Sequence, residues 1–158
     1  MDNFNTDILN NVIMRYKSAA APTTSRIKLP IEKVRDFLNS DMEEQGYLDA
    51  QSNSEDNNLK QKINELKAQG KQICKSAIED YENNNIDIES DINIAKSAGF
   101  LDMVEKLKAQ IEKNKKDIDR VKEIMKEDLL DDNMPVYASY RRGFEKWKRA
   151  ISENLLTN

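Results

Sequence analysis

The sequence predicts an all-α fold: a helical bundle built on a long antiparallel, coiled-coil-like helix pair, with short N-terminal helices and a C-terminal amphipathic helix. The 158 residues include only four glycines and three prolines, too few for the many tight turns of a β-sandwich or β-barrel. Charged residues make up 34% of the chain and hydrophobic residues 38%, which favours slender helical layers. Apolar residues recur at steps of three and four over long stretches, as in helices that pack along one face. We predict a single helical domain over residues 1–158.

Residues 1–46 are predicted to form short helices. The first spans residues 6–17, and residues 18–29 form a linker. The second begins at Pro30, because proline suits the first turn of a helix, and ends at Gly46, a residue type that commonly terminates helices. Residues 47–54 are polar and predicted to be a loop. The apolar residues of the two helices are Ile8, Leu9, Val12, Ile13 and Tyr16, and then Ile31, Val34, Phe37, Leu38 and Met42.

Residues 55–130 are predicted to form the long helical pair. Its first helix runs from Ser54 or Glu55 to Tyr81 and is ended by the asparagines at 83–85. Gly70 lies within its apolar stripe and indicates either the close approach of another helix or a bend. The stripe consists of Leu59, Ile63, Leu66, Gly70, Ile73, Ala77 and Tyr81.

The second helix of the pair has two interpretations. One is a single helix from residue 87 to about residue 130. The other, which we favour, breaks at Gly99, with Asp102 as N-cap and Glu105 completing a capping box. A helix over 102–129 then matches 55–81 in length, at roughly 40 Å each. Its stripe is Val104, Leu107, Ile111, Asn114, Ile118, Val121 and Met125, in which the polar Asn114 can fix the register or the number of partner helices.

The last helix, residues 135–156, is predicted to begin at Pro135 with Asp132 or Asn133 as its cap. Residues 136–158 carry a net charge of +3 within a chain of net charge −4, an asymmetry that can mark a binding end. Gly143 lies beside the apolar stripe, where a missing side chain allows close approach. The stripe consists of Tyr137, Tyr140, Phe144, Trp147, Ile151 and Leu155.

The residue types exclude most catalytic and metal sites. The chain has no histidine and one cysteine, so Ser-His-Asp, Cys-His and Cys/His zinc arrangements cannot form within it. The glycines are isolated, so no phosphate-binding loop is present. The acidic run at residues 85–91 lacks the glycine and glutamate of a calcium loop, and Cys74 is expected to be a packed helical residue. We predict a protein that is not an enzyme and needs no metal, cofactor or small-molecule substrate.

Four acidic residues near the end of the helical pair are predicted to form an exposed corner. Because carboxylates are disfavoured at a helix C-terminus, a nearby cation or the basic last helix is expected to compensate them. The four are Glu127, Asp128, Asp131 and Asp132.

The compartment predicted from the sequence is cytoplasmic. One cysteine cannot form an internal disulfide, the N-terminus lacks the basic and apolar regions of a signal peptide, and no run approaches the length of a membrane span.

The last helix is the candidate partner-binding surface. Aromatic residues and arginine dominate protein interfaces, although the same stripe also suits packing in the core. If the surface binds, the cations supply charge and Tyr137, Tyr140 or Trp147 supply contact area. The candidates are Tyr137, Tyr140, Arg141, Arg142, Phe144, Trp147, Lys148 and Arg149.

Three functional hypotheses follow. The leading one is a non-enzymatic assembly or adaptor protein that binds protein partners, either copies of itself or a larger complex. The second is a helical subunit of a nucleic-acid complex that contacts phosphates through the last helix. The third is a small acidic inhibitor or immunity-type protein. No membrane span is predicted, although a basic amphipathic helix can also lie on an anionic membrane.

Overall fold

The computed structural model describes residues 8, 10–12 and 27–157, with side chains as far as residue 154. All regular elements in this part of the chain are helices, which confirms the all-α prediction. They are α1 (Pro30–Leu38), α2 (Glu43–Ser52), α3 (Asp56–Ser97), α4 (Leu101–Lys126), a 3-10 helix (Asp128–Leu130) and α5 (Pro135–Thr157). Residues 8 and 10–12 are helical, as predicted, and 27–29 have no regular structure. The other positions of the predicted first helix and linker lie outside the described residues.

Helix α3 is the longest helix in the described part of the chain. Its 42 residues extend about 63 Å at the rise of an α-helix. Its C-terminal half pairs antiparallel with α4, since Tyr81 bonds to Asp117 while the later Asn84 bonds to the earlier Asn114. Its N-terminal half pairs antiparallel with α5, where Lys148 meets Asp56 and Lys67 lies over Tyr137. Thus α4 packs along the C-terminal half of α3, whereas α5 packs mainly on α2 and meets the N-terminal half of α3 through fewer contacts.

The predicted end of the first long helix at the asparagines is wrong, because α3 continues through them to Ser97. The Asn114 amide donates hydrogen bonds of 2.8 Å to the side-chain oxygens of both Asn84 and Asn85. These contacts give the asparagine side chains partners that are compatible with a helix, and they override a weak local preference for a turn. Asn114 is 3% exposed, as expected for a polar residue in the stripe.

The predicted break at Gly99 is confirmed, and its geometry explains the glycine. Gly99 has φ +79°, which costs other residues steric strain. Its amide donates to the Lys96 carbonyl and that of Phe100 to the Ala95 carbonyl, the pattern of a Schellman C-cap. The predicted cap at Asp102 is wrong, because α4 begins at Leu101 without a side-chain cap. The predicted equal lengths are also wrong, since α4 has 26 residues.

The stripe predicted on α4 is buried, with one shift of position. Every predicted member from Val104 to Val121 is buried, while Ile124 takes the buried place expected for Met125, which is only partly buried. Helix α1 packs on the middle of this pair and forms a central core. That core includes Ile31, Val34, Leu38, Cys74, Ala77, Tyr81, Ile118, Val121 and Leu129.

The region around Gly46 differs from the prediction. Helix α1 ends at Leu38, and Gly46 is a buried residue inside α2, so the predicted stop at Gly46 and the loop over 47–54 are wrong. A Cβ on Gly46 would overlap the main chain of Tyr140. Glycine is there because α5 passes directly against α2. A Cβ on Gly143 would likewise overlap the main chain of Glu43, so the close approach predicted at Gly143 occurs.

Gly70 also serves close packing. A Cβ at this position would meet side-chain atoms of Leu129 and Phe37. Of the two interpretations given for Gly70, close approach is therefore the one observed, although the neighbours are side chains of the 3-10 helix and α1. The space left by the glycine accommodates the 3-10 helix, which connects α4 to α5.

Candidate functional site

Most of the aromatic stripe of α5 lies in the core. Tyr137, Tyr140 and Phe144 are each at most 1% exposed and pack with Ala50, Ile63, Leu66 and Val136. The Tyr137 hydroxyl donates to the Leu129 carbonyl at 2.7 Å, and burial raises the pKa of Tyr137 to about 12. The Tyr140 hydroxyl donates to Asp49 at 2.5 Å. Of the two interpretations of the stripe, core packing describes these three residues, which therefore cannot supply contact area to a partner.

The C-terminal end of the aromatic stripe is more exposed to solvent. Trp147 is half-buried and packs edge-on against Tyr47, with ring centroids 5.5 Å apart, and Ile151 is 38% exposed. The side chain of Leu155 lies outside the described residues. Helix α5 begins at Pro135, as predicted, but Met134 precedes it, so neither Asp132 nor Asn133 occupies the cap position.

The basic residues of α5 divide between two sides of the helix. On the α2 side, Arg142 lies 3.5 Å and Lys146 4.0 Å from the same carboxylate of Glu43. On the α3 side lie Arg141 and Lys148. Arg149 is exposed and makes no ion pair with the described part of the chain. The predicted basic set is therefore two groups and not one surface.

Arg141 opens onto a groove between α3 and α5, which we call the α3–α5 groove. It has a volume of about 530 Å³, within the range of ligand-binding clefts. The half-buried Leu59 gives the groove its apolar floor, the adjoining Ile63 is buried in the core, and charged side chains line the sides. The lining residues are Asp56, Leu59, Lys60, Ile63, Asn64, Lys67, Asp132 and Arg141.

Both carboxylates of the groove are already paired. Lys67 Nζ lies 2.7 Å from Asp132 and Lys148 Nζ lies 2.7 Å from Asp56. These hydrogen bonds, with the charge of each lysine, hold the pKa of each aspartate below its ordinary value. Lys67 also lies 5.6 Å from the Tyr137 ring centroid, within cation–π range. The groove acids are therefore engaged with cations of the same chain.

Two cations of the groove make no ion pair with the described residues, although each lies near one of the two aspartates. Arg141 donates at 3.3 Å to the main-chain carbonyl of Asp132, and no carboxylate lies within ion-pair distance of Lys60 or Arg141 in the described residues. The groove thus offers two positive charges above an apolar floor. This combination suits a ligand that carries both negative charge and apolar groups.

Sequence reasoning found Arg141 and Lys148 but missed Lys60 and Lys67. The two lysines are seven residues apart on α3, so they occupy the same side of the helix. Nothing in the sequence shows that this side faces α5, because the contacts join residues 65 or more positions apart. The cation expected beside the acidic corner is present, as Lys67 and Arg141 both contact Asp132.

The described residues hold no group of histidine, cysteine, aspartate or glutamate suited to a metal ion. The acidic run at 85–91 lies inside α3, where alternate side chains point to different sides and cannot converge as they do in a calcium loop. Among the helices described, none has the length and apolar character needed to cross a membrane.

Cys74 is expected to be unreactive in the folded protein. It is fully buried in the central core, and burial raises its pKa to about 11, which leaves about one thiolate per thousand molecules at pH 8. We expect negligible reaction with a thiol-specific chromogenic disulfide in native buffer. In about 6 M guanidinium, well above the unfolding midpoints of ordinary proteins, one thiol should react completely. Rapid reaction of the native protein would contradict this packing.

Comparison with protein-family models, with curated proteins and with solved structures found no match for this chain.

Proposed function

We propose that this chain is a non-enzymatic adaptor or assembly protein that binds an acidic, partly apolar segment of a protein partner in the α3–α5 groove. The observation that carries the proposal is the pair of cations without a carboxylate at ion-pair distance in the described residues, Lys60 and Arg141, beside the half-buried Leu59. Apolar contact contributes affinity, and the flanking charges select an acidic partner and speed its association.

The apolar floor favours a protein segment over nucleic acid. A phosphate backbone offers charge but no apolar group to cover the half-buried Leu59. An amphipathic helix that carries glutamates and leucines satisfies both parts of the groove. Such a helix can lay its apolar face into the α3–α5 groove, as the side-chain ridges of one helix pack into the grooves of another.

The test uses a fluorescein-labelled amphipathic peptide of glutamate and leucine, measured by fluorescence anisotropy. The groove variant, Lys60→Ala with Arg141→Ala, is expected to raise the Kd by about tenfold or more, since each tenfold step corresponds to about 1.4 kcal/mol. A matched control, Lys113→Ala with Lys116→Ala, removes two exposed α4 lysines outside the groove lining and should leave the Kd unchanged. Equal binding by both variants would contradict the proposal.

A peptide with lysine in place of glutamate, and a labelled single-stranded oligonucleotide, complete the experiment. The lysine peptide should not bind. If the oligonucleotide binds with a steep dependence on salt while the acidic peptide does not, the groove contacts phosphates and the nucleic-acid hypothesis replaces this one.

A further inference from the structure

The chain carries on its own surface a segment of the kind that the α3–α5 groove suits. Residues 76–95 of α3 contain six acidic residues and no lysine or arginine. Within this segment Ile86 is 66% exposed. A lone exposed isoleucine is ordinary on a protein surface, but this one lies in the middle of an acidic helix edge.

The members of this edge share one side of α3. Glu79, Glu82, Ile86 and Glu89 follow at steps of three and four residues, the spacing of one helix face, and all four are exposed. We call them the acidic edge. None of its three glutamates makes an ion pair within the described residues. The acidic edge therefore presents negative charge without ion pairs on both sides of an apolar side chain, and the groove presents an excess of positive charge beside an apolar floor.

The two surfaces cannot meet within one molecule. Ile63 beside the groove floor and Ile86 in the acidic edge belong to the same continuous helix, and 23 residues of helix separate them by about 35 Å. A helix cannot fold back on itself over this length, so the acidic edge is available only to the groove of another molecule.

We infer that a second copy of this chain occupies the α3–α5 groove, with its acidic edge seated between Lys60 and Arg141 and its Ile86 on the apolar floor. This inference rests on the proposed function and names the partner. The two contacting surfaces are different. Two copies that exchange both contacts across a two-fold axis form a closed dimer, whereas copies joined head to tail leave one groove and one acidic edge free and give rings or open filaments.

The test is the mass in solution by light scattering after size exclusion, over a series of protein concentrations at low and high salt. The wild-type chain is expected to associate as concentration rises, to a dimer if the two contacts are reciprocal and to larger species if they repeat head to tail, and to dissociate at high salt because the charges are exposed and screened. The groove variant (Lys60→Ala, Arg141→Ala) and an edge variant (Glu82→Gln, Ile86→Gln, Glu89→Gln) should each raise the self-association Kd by about tenfold or more. The control at Lys113 and Lys116 should assemble as the wild type does.

An equimolar mixture of the two variants gives the sharpest result. The groove variant keeps an intact acidic edge and the edge variant keeps an intact groove, so together they should form a one-to-one complex that grows no further. Growth of the mixture beyond two chains, or a wild-type protein that stays monomeric at every concentration, would overturn the inference. Assembly of either variant alone to the wild-type extent would overturn it as well.

Binding of the labelled peptide distinguishes a failure of this inference from a failure of the proposed function. A wild-type chain that binds the peptide through the groove but stays monomeric retains the adaptor function and rejects self-assembly. A chain that does neither rejects both. Circular dichroism of every variant should match the wild type, because all the substituted side chains lie at the surface or the rim of the groove.

Discussion

Replacing Gly143 by alanine is expected to destabilise the protein by about 3 kcal/mol or more, at the upper end of the cost of overpacking. The added Cβ would overlap main-chain atoms of Glu43, and a main chain cannot rotate away as a side chain can. The two helices must separate, and the contacts of Gly46 with α5 loosen at the same time. The gain in helix propensity from glycine to alanine, about 1 kcal/mol, offsets only part of this cost.

The measurement is the free energy of unfolding from urea denaturation, with Gly99→Ala as the control. Gly99 has no atom within 4 Å of an added Cβ, but its φ of +79° makes alanine cost about 1 to 2 kcal/mol from backbone strain alone. Gly143→Ala should therefore be the more destabilising change, although Gly143 lies inside a helix where alanine is normally favoured. The opposite order would mean that α2 and α5 do not touch at Gly143.

Replacing Phe144 by alanine is expected to cost about 3 to 5 kcal/mol. The ring is fully buried beside Tyr140, with ring centroids 6.4 Å apart, in the core that joins α2, α3 and α5. Truncation removes this apolar contact and leaves a cavity that the surrounding helices fill only in part. For a domain of this size the loss corresponds to a fall in Tm of roughly 6 to 20 °C.

Ile151→Ala is the matched control on the same helix. Ile151 is 38% exposed, so its truncation should cost less than about 1 kcal/mol. Both variants are compared by the urea midpoint at an unchanged slope. If the two lose the same stability, the aromatic stripe of α5 does not pack into the core, and Phe144 would again be a candidate for contact with a partner.

Much of the candidate site could not be predicted, and the reason differs between its residues. Arg141 and Lys148 stood out because they lie in a segment whose charge differs from that of the rest of the chain. Lys60 and Lys67 did not, because lysines spaced along a long amphipathic helix are ordinary. Only the antiparallel packing of α3 on α5 brings the two pairs to one groove.

The acidic edge had a visible signal in the sequence, namely twenty residues without a lysine or arginine. The meaning of that signal depended on the helix continuing through Asn83, Asn84 and Asn85. With a helix end at these residues, as the local pattern predicts, Glu79 and Ile86 belong to different elements. With the continuous helix they share a face.

The sequence by itself determined the properties that arise from local spacing and composition. These are the all-α class, the start of α1 at Pro30 and of α5 at Pro135, the chain reversal at Gly99 and the buried stripe of α4. Each depends on residues a few positions apart, whose helical periodicity and backbone freedom can be read directly. Tertiary structure alone decided whether Gly46 ends a helix or packs within one, whether the aromatic stripe of α5 is core or surface, and which lysines meet Arg141. In each case a partner many residues away in the sequence outweighs local preferences of about 1 kcal/mol or less.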